Sequence, residues 1–175
     1  MPNNKNLHID ISLAQKLVRS QFVQWKDLKI KQVKAGGNDN RSFRLGDDLL
    51  IRLPSAEGYV AQVIKEQKWL PILAANLSMQ IPEPVAMGQP CKDYPWNWSI
   101  YKWIVGISAN QLKFTNSELE ILAEDLAKFL NELHLVSIEN APMGGLHNYY
   151  RGCHLSVYDN DARSAARAID LYKAD

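Results

Sequence analysis

At 175 residues, 46% apolar and 22% charged, with a formal net charge of +1, the chain suits one ordinary domain, or one small domain plus part of a second. That charge balance gives no bulk electrostatic reason to expect a nucleic acid or a membrane surface as partner, so partners must be read from local sites. The opening MPNNKNLHIDISL lacks a basic stretch followed by an apolar core, and no uncharged run reaches the length of a membrane span, so neither a secretory leader nor a membrane anchor is expected. Cys91 and Cys153 stand far apart with no metal-ligand spacing around them, which predicts free structural thiols in a reduced, cytoplasmic protein.

In chain order, ISLAQKLVRSQF carries Leu13, Leu17, Val18 and Phe22 at helical spacing, with Asp10 or Ser12 placed to cap it. LKIKQVKA alternates Leu28, Ile30 and Val33 imperfectly with lysines and suits a half-exposed strand. RSFRL sets Phe43 and Leu45 on one face and Ser42 and Arg44 on the other; GDD is a turn signal, and LLIRL returns as a third antiparallel strand. SAEGYVAQVIKEQKWLPILAANL reads as a helix capped by Ser55, with Pro71 expected to kink or restart it. IPEPVAMG is extended by its prolines, and YPWNWSIYKWIVG is aromatic and β-branched enough for a further strand or pair. TNSELEILAEDLAKFLNELHLV opens with a capping box, Thr115 with Glu118, and keeps Leu119, Leu122, Leu126, Leu130 and Leu133 on one stripe. A loop rich in glycine and aromatics follows, and DARSAARAIDLYKAD is a last helix. The order predicts an α+β fold: an antiparallel sheet of about five strands with one helix inserted, then helices alone. The expected boundary divides residues 1–104 from residues 105–175.

One stretch, KAGGNDNRSFRLGDDLLIRLP, carries the chemical interest. Gly36 and Gly37, with Asn38, Asp39 and Asn40, let a backbone approach an anion closely, although the same residues suit a plain hairpin turn. Arg52 interrupts the apolar pattern of a central strand, where a cation is costly unless an anion meets it. Glu66 is the expected partner, because Val63, Glu66 and Leu70 share the sheet-facing stripe of the next helix. A strand cation held by a helix carboxylate beneath a glycine turn is how protein kinases place charge on phosphates; a structural ion pair is the bland alternative. SIYKWIVG would be the hinge between lobes, where the backbone of Tyr101, Lys102 and Trp103 would hold a purine and the Tyr101 and Trp103 rings could flank it. His134 is expected to be a packed helix residue, His147, Arg151 and His154 to share a surface loop, and Lys65 and Lys68 to lie on a solvated face.

With those residues in place, the chain resembles the aminoglycoside phosphotransferase family, which has a protein-kinase-like fold. GGNDNRSFRLGDDLLIRLP is similar to its nucleotide loop and third strand, VIKEQKWLPILA to the helix with the paired glutamate, IPEPVAMG to the next strand and SIYKWIVG to the hinge. LAEDLAKFLNELH resembles the first long helix of the C-terminal lobe, ending in Leu133-His134, and GLHNYYRG resembles a loop found in a subset of these proteins. The resemblance implies ATP and Mg2+ as cofactors, transfer of the γ-phosphoryl group, and a small-molecule hydroxyl as acceptor, an aminoglycoside among the candidates. It puts Arg52 where lysine is usual, keeping the charge on a wider planar fork. The family's catalytic His-Gly-Asp loop with its following asparagine, and its later metal-binding aspartate, are not found in these residues, and Asp159, Asp161 and Asp170 stand in no such motif. The expectation is an N-terminal lobe, a hinge and the first helices of an incomplete C-terminal lobe, ending before the catalytic loop, with no catalytic residue, no metal ligand and no activity by itself. Two alternatives are a non-catalytic nucleotide-binding remnant and a module that self-associates through exposed apolar helices.

Overall fold

Asp10 opens the first helix, α1 (Ile11–Gln21), by accepting a hydrogen bond from the Leu13 N–H at 2.9 Å, which satisfies one of the donors every helix start leaves over. That bond, aided by one from Ser12, holds the Asp10 carboxyl below its usual range. The computed structural model describes residues 7–33, 39–145, 148 and 150–172. The chain divides into two compact units, Met1–Val136 and Ser137–Asp175.

The first unit is built on a five-stranded, wholly antiparallel sheet of β1 (Ile30–Gln32), β2 (Asn40–Leu45), β3 (Leu49–Pro54), β4 (Pro84–Gly88) and β5 (Trp98–Lys102), in the order β1-β2-β3-β5-β4. Gly46 turns β2 into β3 at a φ of 60°, a conformation that favours glycine. The register pairs Phe43 with Ile51 and Ile51 with Ile100, so strand alternation collects the apolar side chains on one face. There Phe43, Leu45, Ile51, Leu53, Trp98 and Ile100 are fully buried beneath Leu13, Ala14, Leu17 and Val18 of α1 and beside Tyr94 and Trp96. Burial of each large side chain contributes roughly 1.5–3 kcal/mol, so the core lies on the α1 face. Phe22 meets the Trp98 indole edge-on at 5.4 Å. Tyr94 donates its hydroxyl to the Pro54 carbonyl at 2.8 Å, and its burial pushes the phenol's pKa up.

The inserted helix, α2 (Val60–Ala74), covers the sheet's other face and begins after a 3₁₀ turn at Glu57–Tyr59 rather than at a Ser55 cap. It runs through Pro71 without restarting. The proline stands near the last turn, so the missing donor falls close to where the helix would end anyway. The last helix of this unit, α3 (Asn116–Leu135), starts with the expected capping box: the Thr115 hydroxyl accepts from the Glu118 N–H while Glu118 accepts from the Thr115 N–H. Glu132 ties α3 to the turn after α2, accepting from the Ser78 N–H at 2.7 Å and its hydroxyl at 3.0 Å; those bonds hold its carboxyl below the usual range.

The second unit holds α4 (Asp159–Tyr172), which begins two residues before the expected Asp161. An Arg163–Asp159 ion pair at 2.6 Å spans its first turns. Asn148 shapes the preceding loop, accepting from the Gly145 N–H and donating to the Arg151 carbonyl. No helix among the described residues is long and apolar enough to cross a membrane.

Candidate functional site: an arginine–glutamate pair on the polar face of the sheet

Strand alternation puts the polar residues where α2 lies. Ser42, Arg52 and Ser99 are direct cross-strand neighbours, and Arg44, Leu50 and Tyr101 form the next row on the same face. Arg52 Nη1 donates to Glu66 Oε2 at 3.1 Å, with 29% and 15% of the two side chains exposed. A pair this shielded is screened less than a surface pair, and removing either partner leaves a poorly solvated charge. The same Glu66 oxygen accepts the Tyr101 hydroxyl, and the other oxygen accepts Gln62 Nε2 at 3.1 Å. Arg52 also stands 5.4 Å from the centre of the Tyr101 ring. Burial, and then the Glu66 hydrogen bond, push the Tyr101 phenol's pKa up. Val63, Glu66 and Gln67 share the sheet-facing side of α2: Val63 is buried, and Gln67 donates to the Ser99 hydroxyl at 3.0 Å and the Ala86 carbonyl at 3.1 Å. The helix is thereby tied to β4 and β5 beside the ion pair.

One end of this strip lies at Asp39 and Asn40, which follow the glycine-rich segment in sequence. The Asp39 carbonyl accepts from the Ser55 N–H at 2.9 Å and the Ser55 hydroxyl at 3.1 Å, and Asn40 pairs with Pro54. Asp39 and Asn40 thus lie beside the strand end just past Arg52. Gly36, Gly37 and Asn38 lie outside the described residues.

The other end meets the segment expected to be the hinge. The Lys102 N–H donates to the Glu83 carbonyl at 2.9 Å, and Lys102 Nζ pairs with the Glu83 carboxylate at 2.6 Å. The Trp103 N–H donates to the Asp48 carbonyl at 2.7 Å. Both backbone donors are therefore engaged within the chain. β5 ends at Lys102, and β4 begins only at Pro84. The Arg44 guanidinium stacks 4.0 Å over the Trp103 ring and donates to the Asp47 carbonyl; its buried Nε has no partner among the described residues.

The structure brings together Arg52, Glu66 and Tyr101, and places Asp39 and Asn40 at one end of their face and Lys102 and Trp103 at the other. Sequence reasoning missed Gln62, the Tyr101 hydroxyl and the Arg44–Trp103 stack. Only Arg44 left a signal, its alternation with Phe43 and Leu45. His134 is exposed rather than packed, and His154 caps the 3₁₀ turn at Leu155–Tyr158. Arg151 is exposed, Lys68 is exposed and Lys65 half-buried, while His147 lies outside the described residues. Among the described residues no three histidines, cysteines or carboxylates converge, and no step is assigned to magnesium. A groove of about 490 Å³ between the end of α1 and the segment after β4 shares no lining residue with this site.

A family model described as the phosphotransferase enzyme family matches residues 29–173. No curated protein matches the chain. Among solved structures, the chain is similar to the GDP and kanamycin complex of APH(2'')-IIIa, at 21% identity and a TM-score of 0.65 over 72% of this chain and 42% of that one. It is similar to the GDP complex of wild-type aminoglycoside 2'-phosphotransferase-IIIa, at 22% identity and a TM-score of 0.64 over 72% and 42%. It is also similar to the ADP-bound aminoglycoside phosphotransferase APH(2'')-Ib, at 25% identity and a TM-score of 0.52 over 74% and 41%. The chain spans less than half the length of these proteins, and the likeness to the first two is one of fold.

Proposed function

The chain belongs to the phosphotransferase enzyme family, and on that premise we propose that these residues form the nucleotide-gripping part of a kinase-like phosphotransferase acting on a small-molecule hydroxyl. The observation that carries this reading is the Arg52–Glu66 pair on the polar face of the sheet, beside β2, the strand that follows the glycine-rich segment in sequence. In this reading residues 1–104 are the nucleotide-binding lobe and residues 105–175 begin a helical lobe. Gly36, Gly37, Asn38, Asp39 and Asn40 cover the phosphates, Arg52 binds them as a cationic fork, and Glu66 orients Arg52. The order of the strip, from turn to Arg52 to Trp103, runs the nucleotide from phosphates to base. The base edge then meets the Lys102 carbonyl and the Ile104 N–H, because the Lys102 and Trp103 donors are taken by Glu83 and Asp48.

The chemistry is γ-phosphoryl transfer from ATP or GTP. It depends on positioning and on neutralising charge that develops on the transferring group. Arg52 supplies one such charge; no residue of this chain is assigned as the base that orients the acceptor. An aminoglycoside is the acceptor class that the solved relatives favour, since one of them is a kanamycin complex.

The test is nucleotide-dependent thermal stabilisation of the 175-residue chain, alongside nucleotide consumption with an aminoglycoside acceptor. Stabilisation by ATP or GTP that disappears in Arg52→Ala, without turnover, is the expected result. Turnover abolished in Arg52→Ala overturns the assignment of no catalytic residue to this chain, and a wild-type chain indifferent to both nucleotides overturns the function itself. A second reading, self-association, is favoured by the α3 stripe, where Leu119, Leu122, Leu126 and Leu130 are 42–51% exposed. Light scattering on the same sample separates the two.

A further inference from the structure

We propose that Arg44 is a positioning residue for the base end of the nucleotide: by stacking on Trp103 it clamps the start of the hinge segment to the β2–β3 turn. The inference rests on the nucleotide grip proposed above and deepens it, naming what holds the base-binding backbone in place.

Two links make the clamp, and both end on one turn. The Arg44 guanidinium lies 4.0 Å over the Trp103 ring and donates to the Asp47 carbonyl. The Trp103 N–H donates to the next carbonyl, that of Asp48, at 2.7 Å. The turn is itself anchored, since the Gly46 N–H donates to the Lys29 carbonyl at 2.9 Å. Strand alternation aims Arg44 this way. Arg44, Leu50 and Tyr101 form one row across β2, β3 and β5, and Trp103 follows Tyr101 by two residues. Lys31 is the cross-strand neighbour of Arg44 on β1, and its like charge disfavours turning the guanidinium the other way.

The clamp sits where β5 gives out. That strand stops at Lys102, residues 103–108 belong to no helix or strand, and Ile104, Val105 and Ile107 are exposed. The bond to Asp48 extends the β3 pairing by one residue, and the stack adds the side chain to it. Lys102 and Ile104 flank Trp103 directly, so whatever fixes Trp103 fixes both backbone groups assigned to the base edge. Arg44 Nε is buried without a partner among the described residues. Water therefore screens the stack poorly, and a desolvated cation over an indole is held more strongly than an exposed one. Without the stack the segment keeps its binding geometry for only part of the time, and the apparent affinity falls in proportion. Arg52 is held separately, by Glu66, so the phosphate end is left as it was.

Arg44→Met keeps the side chain's stem and removes its charge and its fork. Binding of ATP, GTP and inorganic tripolyphosphate to the 175-residue chain is measured by calorimetry, with near-ultraviolet circular dichroism confirming the fold. The tighter-binding nucleotide should weaken about five- to tenfold, the worth of one cation–ring stack, while tripolyphosphate stays within about twofold of wild type. In a Trp103→Leu background the same substitution should change nucleotide binding by less than about twofold. Without ligand, amide exchange at Trp103 should quicken in Arg44→Met, with exchange in β3 unchanged. Equal weakening of nucleotide and tripolyphosphate would place the effect on the phosphates or the whole fold and overturn the inference. So would unchanged nucleotide binding, an undiminished effect in Trp103→Leu, or unchanged exchange at Trp103. A wild-type chain that binds tripolyphosphate but neither nucleotide overturns this inference and leaves the phosphate grip standing; one that binds none of the three overturns the proposed function with it.

Discussion

Replacing Gly88 with alanine tests the packing that holds the site's strands together. Gly88 pairs with Trp98 at the β4–β5 edge, and the indole lies directly over it: a β-carbon built at Gly88 would stand 1.9 Å from Trp98 Cε2 and 2.1 Å from Nε1. Carbon atoms in good contact sit roughly 3.5–4.0 Å apart. Either the indole or the strand must therefore give way by roughly 1.6 Å. The indole is fully buried, with the Phe22 ring edge-on at 5.4 Å, so it has no vacant space to enter. The alternative is for β4 to draw away, giving up the pairings of Gly88 with Trp98 and Met87 with Ser99. Both routes cost about 2–3 kcal/mol, by overpacking in the first case and by lost ladder bonds in the second. For a chain of this size that corresponds to a fall in Tm of about 5–10 °C. Urea unfolding of Gly88→Ala, beside the same change in a Trp98→Leu background, measures it. The alanine should cost less than half as much once the indole is gone. A cost below about 0.5 kcal/mol in the wild-type background, the range of an ordinary surface change, or an equal cost in both backgrounds, would refute the reasoning.

The two buried phenols predict the alkaline limit of stability. Tyr94 and Tyr101 have folded pKa values raised by burial above the unfolded value of about 10. Their contribution is fully present below about pH 10 and is lost as pH rises toward the folded values, because only the unfolded chain ionises them readily. The urea midpoint should fall steadily above about pH 10, and ultraviolet titration of the seven tyrosines should show these two ionising only as the chain unfolds. At the start of α3, Thr115→Ala removes the hydroxyl that meets Glu118 on both sides of the capping box. It should destabilise that helix by about 1 kcal/mol, read as faster amide exchange in its first turn with exchange in β3 and β5 unchanged.

Local rules were enough for most of the elements. Alternation of Phe43 and Leu45 against Ser42 and Arg44 set β2 and its faces, and the GDD turn set the hairpin. Thr115 and Glu118 fixed the start of α3. Pro71 misled, since a proline signals a break from its own chemistry, but the cost is a single lost backbone bond close to the end of α2. Ser55 misled in the same way: its hydroxyl caps no helix and bonds the Asp39 carbonyl, across a hairpin that only the folded sheet brings together.

The sequence by itself determined the α+β order of elements and the pairing of Arg52 with Glu66, because a lone cation on an apolar strand and a carboxylate on the sheet-facing stripe of the next helix have few other partners. What only the tertiary structure decided were the contacts across strands far apart in sequence. Strand order put β5 between β3 and β4, and that brought the Tyr101 hydroxyl to Glu66, Gln67 to Ser99, Trp98 over Gly88 and Trp103 beneath Arg44. Each of these depends on register, and register belongs to the assembled sheet: a slip of one residue would turn every one of these side chains to the opposite face.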